Sequence, residues 1–361
     1  MRILEVYKDV HPYRSGGIER YIHDLSVHLV ARGHRVAVLT AGAGLRERTS
    51  TVSGFSVVEL PCFGRLLSTP VSFSYRRAMR EWRPDVVHFH LPMPTAEVAR
   101  LLETQGPPYV ATYHSDIVRQ AFLLPLYGPL LRKFLAGASM VLATSERYAA
   151  TSPFLAGLAN VRVVPIGVNQ AQFSPGDGKR NGYFLFAGRF RSYKGIPVLL
   201  SAWRLLTDPP PLVLAGGGPL EQWIRRASRG LPLRIDTNPG DEALVDLYRG
   251  AEALILPSVK RSEAYGMVQL EAMACGTPVI STDLPTGVPW VNIHGESGLV
   301  VPPGDPAALA DAVRRILNDP ALRDRLAAGA LQRARTVFHS GRLFGEVEEC
   351  LTEAASGSPA S

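Results

Sequence analysis

Short apolar runs alternate along this chain with longer stretches in which apolar residues return every three or four positions. Arg2–Tyr7, Arg35–Thr40, Ser56–Leu60, Asp85–Phe89, Tyr109–Tyr113, Met140–Thr144 and Arg162–Pro165 are runs of the first kind. Each has the length and apolar content of a strand buried on both faces, and the intervening amphipathic stretches predict helices. Their alternation predicts parallel sheets with crossover connections, an α/β fold. A Gly- and Pro-rich stretch, Phe173–Asn181, reads as a linker. The pattern then resumes, with strands expected at Phe184–Ala187, from Leu212, from Leu233, at Leu254–Pro257, at Pro278–Thr282 and from Gly298. A chain of 361 residues fits two such domains, here 1–172 and 173–340, with a last helix and a flexible tail over 341–361.

The most informative stretch is Ser262–Val279, SEAYGMVQLEAMACGTPV. Leu254–Pro257 ends a strand and a polar loop runs from Ser258 to Gly266. Met267, Leu270 and Ala274 then share a helical face, and Gly276 stands where a glycine ends a helix. A helix that begins near Met267, just after Gly266, leaves the amides of Met267 and Val268 at the positive end of its dipole. That is a site for an anion, phosphate above all. Glu263 lies in the loop before it and Glu271 in the second turn. A carboxylate accepts two hydrogen bonds and suits vicinal sugar hydroxyls. Phosphates on the amides and one sugar on each glutamate fit a nucleotide sugar. The plainer alternative is a strand–loop–helix unit with two solvated glutamates.

Parallel sheets bind ligands outside the carboxyl ends of their strands, so the other strand ends are candidate sites for chemistry. Gly16-Gly17 follows the first strand and opens a helix with core positions Ile18, Ile22, Leu25 and Leu29. Paired glycines allow close backbone approach to a ligand, and an ordinary tight turn explains them as well. They form neither a Walker loop nor GxGxxG. His88 and His90 share one strand face, but no third metal ligand stands at a recognisable spacing, so no metal is expected. His114 ends the next strand and is either a packed core residue or a functional one. Arg189 and Lys194 follow the strand Phe184–Ala187, where they are placed to meet a diphosphate or belong to a basic surface loop.

Composition narrows the class. With 46% hydrophobic and 20% charged residues the chain is globular, and no apolar run has the length of a membrane span. Met1–Val6 is a first strand rather than a signal peptide. Three cysteines, Cys62, Cys275 and Cys350, lie far apart, which points to a cytoplasmic compartment. The net charge of +7 is uneven: 19 basic against 12 acidic residues up to Pro175, then 20 against 20. A basic first half suggests an anionic surface or acceptor; no nucleic-acid recognition motif is present. Arg76, Arg80 and Arg83 recur at helical spacing with Arg77 beside them. They form either a solvated face or a patch for anionic lipid. The apolar stretch Phe122–Leu135 is either core or a wall for a lipid chain.

The loop glutamate Glu263, the pair Tyr265-Gly266, the second glutamate Glu271 and the run EAMACGTPV resemble the signature of the retaining glycosyltransferases of family four. The resemblance covers nearly the whole chain. GGIER is similar to the family's donor-side glycine loop. Pro165–Val168 is similar to its hinge motif, with Asn169 where Asp is common, and Gly188–Gly195 to its phosphate motif. The run after Leu233 lacks the glycine usual near Thr237 in the loop beside the base. VYKDVHPYRSGGIE, YHSDIVRQ and Val288–Asn292 resemble bacterial exopolysaccharide mannosyltransferases. The resemblance implies a GT-B fold, two Rossmann-like domains facing a central cleft, with the last helix returning to the first domain. It implies transfer of a hexose, mannose from GDP-mannose foremost and UDP-hexoses next, to a lipid-linked or glycan acceptor of surface polysaccharide. The enzyme would work in the cytoplasm, peripheral at the inner membrane face. His114 would lie over the anomeric carbon, with Glu263 on the transferred sugar and Glu271 on the ribose. Arg189 and Lys194 would stabilise the leaving diphosphate without metal or other cofactor. An isomerase or phosphorylase of the same architecture, or a non-catalytic sugar-binding protein, are the other classes.

Overall fold

The computed structural model describes residues 1–13, 16–42, 44–66, 69–103, 105–117 and 121–357. Two units divide the chain: Met1–Ile166 with Gly341–Ser361, and Gly167–Ser340. Arg14, Ser15 and residues 118–120, part of two motifs quoted above, and the tail Ser358–Ser361 lie outside the described residues.

The first unit contains β1 (Arg2–Val6), β2 (Arg35–Ala41), β3 (Arg48–Val52), β4 (Phe55–Leu60), β5 (Arg65–Leu66), β6 (Thr69–Pro70), β7 (Val86–Leu91), β8 (Tyr109–Tyr113), β9 (Met140–Ala143) and β10 (Val161–Val163). β5 and β6 form a small ribbon; the others form one sheet of order β10-β9-β8-β7-β1-β2-β4-β3. Its pairings are parallel except β3 with β4. β1 lies inside the sheet, between β2 and β7, so strand order reverses there and the carboxyl ends of β1 and β7 border a crevice. The seven runs expected as strands are all strands. β3 was not expected: its residues RTSTV are mostly exposed, so an edge strand held by backbone pairing carries no apolar signal.

Helix Gly17–Ala31 buries Ile22, Leu25 and Leu29 as expected, but Tyr21 rather than Ile18 completes its core face. Helix Ser340–Ser356 is held in this unit at three places. Glu348 meets His34 at 2.9 Å and Arg32 at 3.3 Å, Glu353 meets Arg162 at 2.9 Å, and Phe344 packs on Tyr21.

The second unit contains β11 (Tyr183–Ala187), β12 (Leu212–Gly216), β13 (Leu233–Thr237), β14 (Ala251–Leu256), β15 (Val279–Thr282) and β16 (Gly298–Val301). All pair in parallel in the order β13-β12-β11-β14-β15-β16, so the switch point lies between β11 and β14. Phe184, Phe186, Trp203, Leu212, Leu214, Ile255 and Ile280 belong to its core. The chain enters this unit at Gly167, not at Phe173, which is buried with its ring 6.1 Å from that of Tyr248. A side chain at Gly167 would stand 2.6 Å from the Cα of Ser340, so entering and leaving segments lie too close for any Cβ. Asn169 accepts a hydrogen bond from the amide of Ala171 at 3.0 Å, a turn that Asp makes equally well.

Candidate active site

The second unit assembles its polar cluster from the ends of β11 and β14. After β11 the chain makes one 3-10 turn, Ser192–Lys194, and leaves it through Gly195 at φ +71. A Cβ on Gly195 would stand 1.8 Å from the carbonyl oxygen of Pro257, at the end of β14. Only glycine permits this conformation and this approach. Lys194 and Glu263 are thereby brought together, Nζ to Oε2 2.6 Å, with both side chains about nine-tenths buried. Ser258 donates to the same carboxylate at 2.9 Å, and its carbonyl accepts from Thr282 at 2.6 Å. Burial disfavours the Lys194 ammonium, but Glu263, and after it Tyr193 and Glu271, outweigh burial and raise its pKa.

Helix Met267–Ala274 begins as expected, and Gly276 at φ +74 ends it. Gly266, at φ +78, would set a Cβ 2.6 Å from Leu256, and among the described residues no side chain caps the first turn. Met267 and Val268 are half-buried at this end, and the core face is made by Leu270, Ala272, Met273 and Ala274. Glu271 is oriented by Tyr248, whose hydroxyl donates to Oε2 at 2.6 Å. Glu263 is therefore not the solvated loop carboxylate of the plainer alternative, because Lys194 is its buried ion-pair partner. Ser258 and Tyr248 were not foreseen; Ser258 stands directly after a strand end, which was the available signal. Arg189 is exposed at the end of β11.

The loop after β13 shows how the chain does without a glycine near Thr237. Asn238 adopts φ +49, a conformation asparagine tolerates better than most residues. Its amide donates to the carbonyl of Gly216 at 3.2 Å. A Cβ on Gly217 would stand 2.9 Å from Asn238 Oδ1, so the two loops pack closely.

The first unit holds a buried chain of polar side chains where β1, β7 and β8 run side by side. Glu5 is in register with His88, and His90 with Thr112. His90 Nε2 lies 2.6 Å from Glu5 Oε2, and His90 Nδ1 lies 3.0 Å from His114 Nε2. His88 Nε2 is 2.7 Å from the Thr112 hydroxyl, and its Nδ1 is 2.9 Å from Glu5 Oε2. Glu5, His88 and His90 are 0% exposed and His114 4%. Burial raises the Glu5 pKa, but His88 and then His90 outweigh it and bring it to about 2. Burial, then His88, lowers His90 to about 4. Burial, then His90, His88 and Lys8, holds His114 well below the usual imidazole range, so its ring is neutral at pH 7. Sequence spacing gave no third ligand for His88 and His90, whereas the fold supplies Glu5. The 2.6 Å contact is a hydrogen-bond distance, shorter than the separation of two donors around one zinc ion.

The remaining candidates also belong to the first unit. Gly16 has φ −177, which any residue adopts, and a Cβ there would meet only the flexible carboxylate of Glu19. Gly17 is the first helical residue. The arginine patch is more neutral than expected. Glu103 takes Arg76 at 3.0 Å and Arg80 at 2.5 Å, and Glu47 takes Arg77 at 2.5 Å. Arg83 follows the helix Tyr75–Trp82 at φ +50 and does not continue its face. The apolar stretch divides: Leu131, Phe134 and Leu135 are buried, while Phe122 and Leu126 are 70% and 83% exposed.

Two doubly wound sheets, each with a polar cluster at the strand ends beside its switch point, make up a GT-B fold, the architecture of one large class of glycosyltransferases. Over 99% of this chain the structure is similar to sucrose-phosphate synthase from Thermosynechococcus elongatus, which it covers completely, at TM-score 0.82 and 22% identity. It is similar at TM-score 0.78 and 19% identity to Anabaena HepE, solved with UDP and glucose, over 97% of this chain and 99% of that one. Residues 15–172 match the family described as Glycosyltransferase Family 4, and residues 169–333 the family described as Glycosyl transferases group 1. D-rhamnosyltransferase WbpZ of Pseudomonas aeruginosa is 35% identical, with 94% of this chain and 92% of the relative aligned. O-antigen chain mannosyltransferase C of Escherichia coli is 33% identical over 95% and 96% of the two chains. The chain belongs to family four of the glycosyltransferases and resembles the bacterial polysaccharide mannosyltransferases.

Proposed function

We propose that this glycosyltransferase moves mannose from GDP-mannose, with retention of anomeric configuration, to a lipid-linked or glycan acceptor of a surface polysaccharide. The observation that carries the reading is the buried Lys194–Glu263 pair with Ser258 on the same carboxylate, at the switch point of the second unit. In this reading Glu263 receives hydroxyls of the transferred sugar and the oriented Glu271 receives the ribose. The amides of Met267 and Val268 after Gly266, with Arg189 and Lys194, face the diphosphate. Charge that develops as the glycosidic bond breaks is met by fixed donors, which is the largest source of catalysis in such sites. No metal or other cofactor is assigned to that task. His114 is assigned to the reacting sugar, and Gly16-Gly17 to close approach by the donor.

Mannose is favoured by the likeness to O-antigen chain mannosyltransferase C, and GDP is carried over from the resemblance of the sequence motifs. A UDP-hexose is the second reading, favoured by the likeness to HepE, solved with UDP and glucose. The acceptor is assigned to the first unit, with the enzyme on the cytoplasmic side of a membrane. No helix among the described residues is long and apolar enough to cross a bilayer, and peripheral contact with lipid is part of the proposal. The test is release of free GDP from GDP-mannose in excess chelator, with and without a membrane extract that supplies acceptor. Release only with acceptor supports transfer. Release without it would indicate a phosphorylase or hydrolase, and donor rearrangement an isomerase. Loss of activity restored by Mg²⁺ would overturn the metal-free assignment.

A further inference from the structure

The Glu5–His90–His114 chain has a direction, and that direction fixes which nitrogen of His114 is free to act. A carboxylate only accepts hydrogen bonds, so at 2.6 Å His90 must carry its proton on Nε2. A neutral His90 then has a bare lone pair on Nδ1. That atom lies 3.0 Å from His114 Nε2, which must therefore be the N–H donor. A neutral His114 protonated on Nε2 has a bare Nδ1. This Nδ1 is buried and has no hydrogen-bond partner among the described residues. The rings of Tyr21 and Tyr7 stand 5.6 Å and 6.5 Å from the His114 ring, so its plane is held from the side.

We infer that Glu5 and His90 are positioning residues that lock His114 as the Nε2–H tautomer and present its Nδ1 as an acceptor for a substrate hydroxyl. The inference rests on the reading that places His114 at the reacting sugar. It gives the polar chain a purpose that packing alone does not, since three buried polar residues in adjacent strands are replaceable by apolar ones at no loss of core. It also excludes a role for His114 as a cation or proton donor to the leaving diphosphate. The second ring nitrogen sets the chemistry of the first, as in other sites where a carboxylate orients an imidazole.

The test uses the full chain with ¹⁵N-labelled histidine and two variants. His90→Asn keeps an oxygen able to accept from His114 Nε2–H, whereas His90→Leu removes the acceptor. Long-range ¹H–¹⁵N spectra of the wild type should show His114 with a bare Nδ1 and a protonated Nε2, unchanged in His90→Asn and lost in His90→Leu. In transfer assays His90→Leu should lower kcat about 10- to 100-fold with the donor KM nearly unchanged, and His90→Asn should restore most of it. A wild-type His114 that is Nδ1–H or doubly protonated would overturn the inference. So would equal kcat in the Asn and Leu variants. If His90→Leu does not fold, the wild-type and His90→Asn spectra still decide the tautomer. Full activity of His114→Ala would instead reject the placement of His114 at the sugar, with the tautomer result standing by itself.

Discussion

Replacing Lys194 by Met tests whether the polar cluster of the second unit is an electrostatic unit. Lys194→Met keeps the buried stem and removes the ammonium that lies 2.6 Å from Glu263. Among the described residues the carboxylate then keeps only the Ser258 hydrogen bond, in a buried place. Removing one partner of a buried ion pair costs about 3–5 kcal/mol, because the other charge is left uncompensated. For a domain of this size each kcal/mol lowers Tm by about 2–4 °C, so a drop of about 6–20 °C is expected. The sign of the pH dependence follows from the raised Lys194 pKa. A raised pKa stabilises the fold below the ordinary lysine value and loses the effect only as pH rises past the raised one. The deficit of the variant should therefore be constant across neutral pH. Thermal melts of Lys194→Met, Glu263→Gln and the double variant at pH 7 form the cycle. The double variant should cost less than the two single variants together by more than about 1 kcal/mol. A Lys194→Met deficit under about 1 kcal/mol, or strict additivity, would show that Lys194 and Glu263 do not act as one electrostatic unit.

Gly195→Ala should destabilise the second unit by more than about 2 kcal/mol and abolish donor binding, since a left-handed residue would carry a Cβ 1.8 Å from Pro257; melts and nucleotide titration check it. The first unit should lose stability as pH falls from about 6.5 to about 4, because the unfolded chain protonates His90 over that window and the folded chain does not. Glu5, held at about 2, adds a second loss below about 4.5; acid titration of wild type and His90→Asn should show the first loss reduced in the variant. Binding to vesicles of anionic lipid should be weak and reversed by salt, since Glu103 and Glu47 already face three of the four arginines. Each basic residue then adds less than the ~1 kcal/mol of an unpaired one. Sedimentation with Arg76, Arg77, Arg80 and Arg83 changed to Ser should show most of that binding lost, and equal binding to neutral vesicles would reject it.

The buried strands were legible because each is a continuous apolar run, and the helix after Gly266 because its glycines and apolar spacing agree. β3 was not, since its five mostly exposed residues give no periodic signal. The individual glutamates were readable at their positions, but their partners were not. Lys194 and Glu263 lie far apart in sequence and meet only because Gly195 lets the β11 loop approach Pro257. Glu5 gave a signal that spacing rules passed over, a charged residue within an otherwise apolar central strand. Its meaning depends on register with His88, which no local pattern encodes. The arginine patch shows the converse limit, because helical spacing places charges on a face and says nothing of the acids that meet them.

A thermal-shift comparison of GDP, GDP-mannose, UDP and UDP-glucose against wild type and Glu271→Ala tests the proposed donor site most directly. A ligand at 100 times its Kd stabilises the folded state by about 2.7 kcal/mol. That corresponds to a rise of about 5–10 °C in a domain of this size. The wild type should show such a rise with GDP and GDP-mannose in excess chelator, and Glu271→Ala a much smaller one. No rise with any of the four nucleotides, or an equal rise in Glu271→Ala, would contradict that donor site.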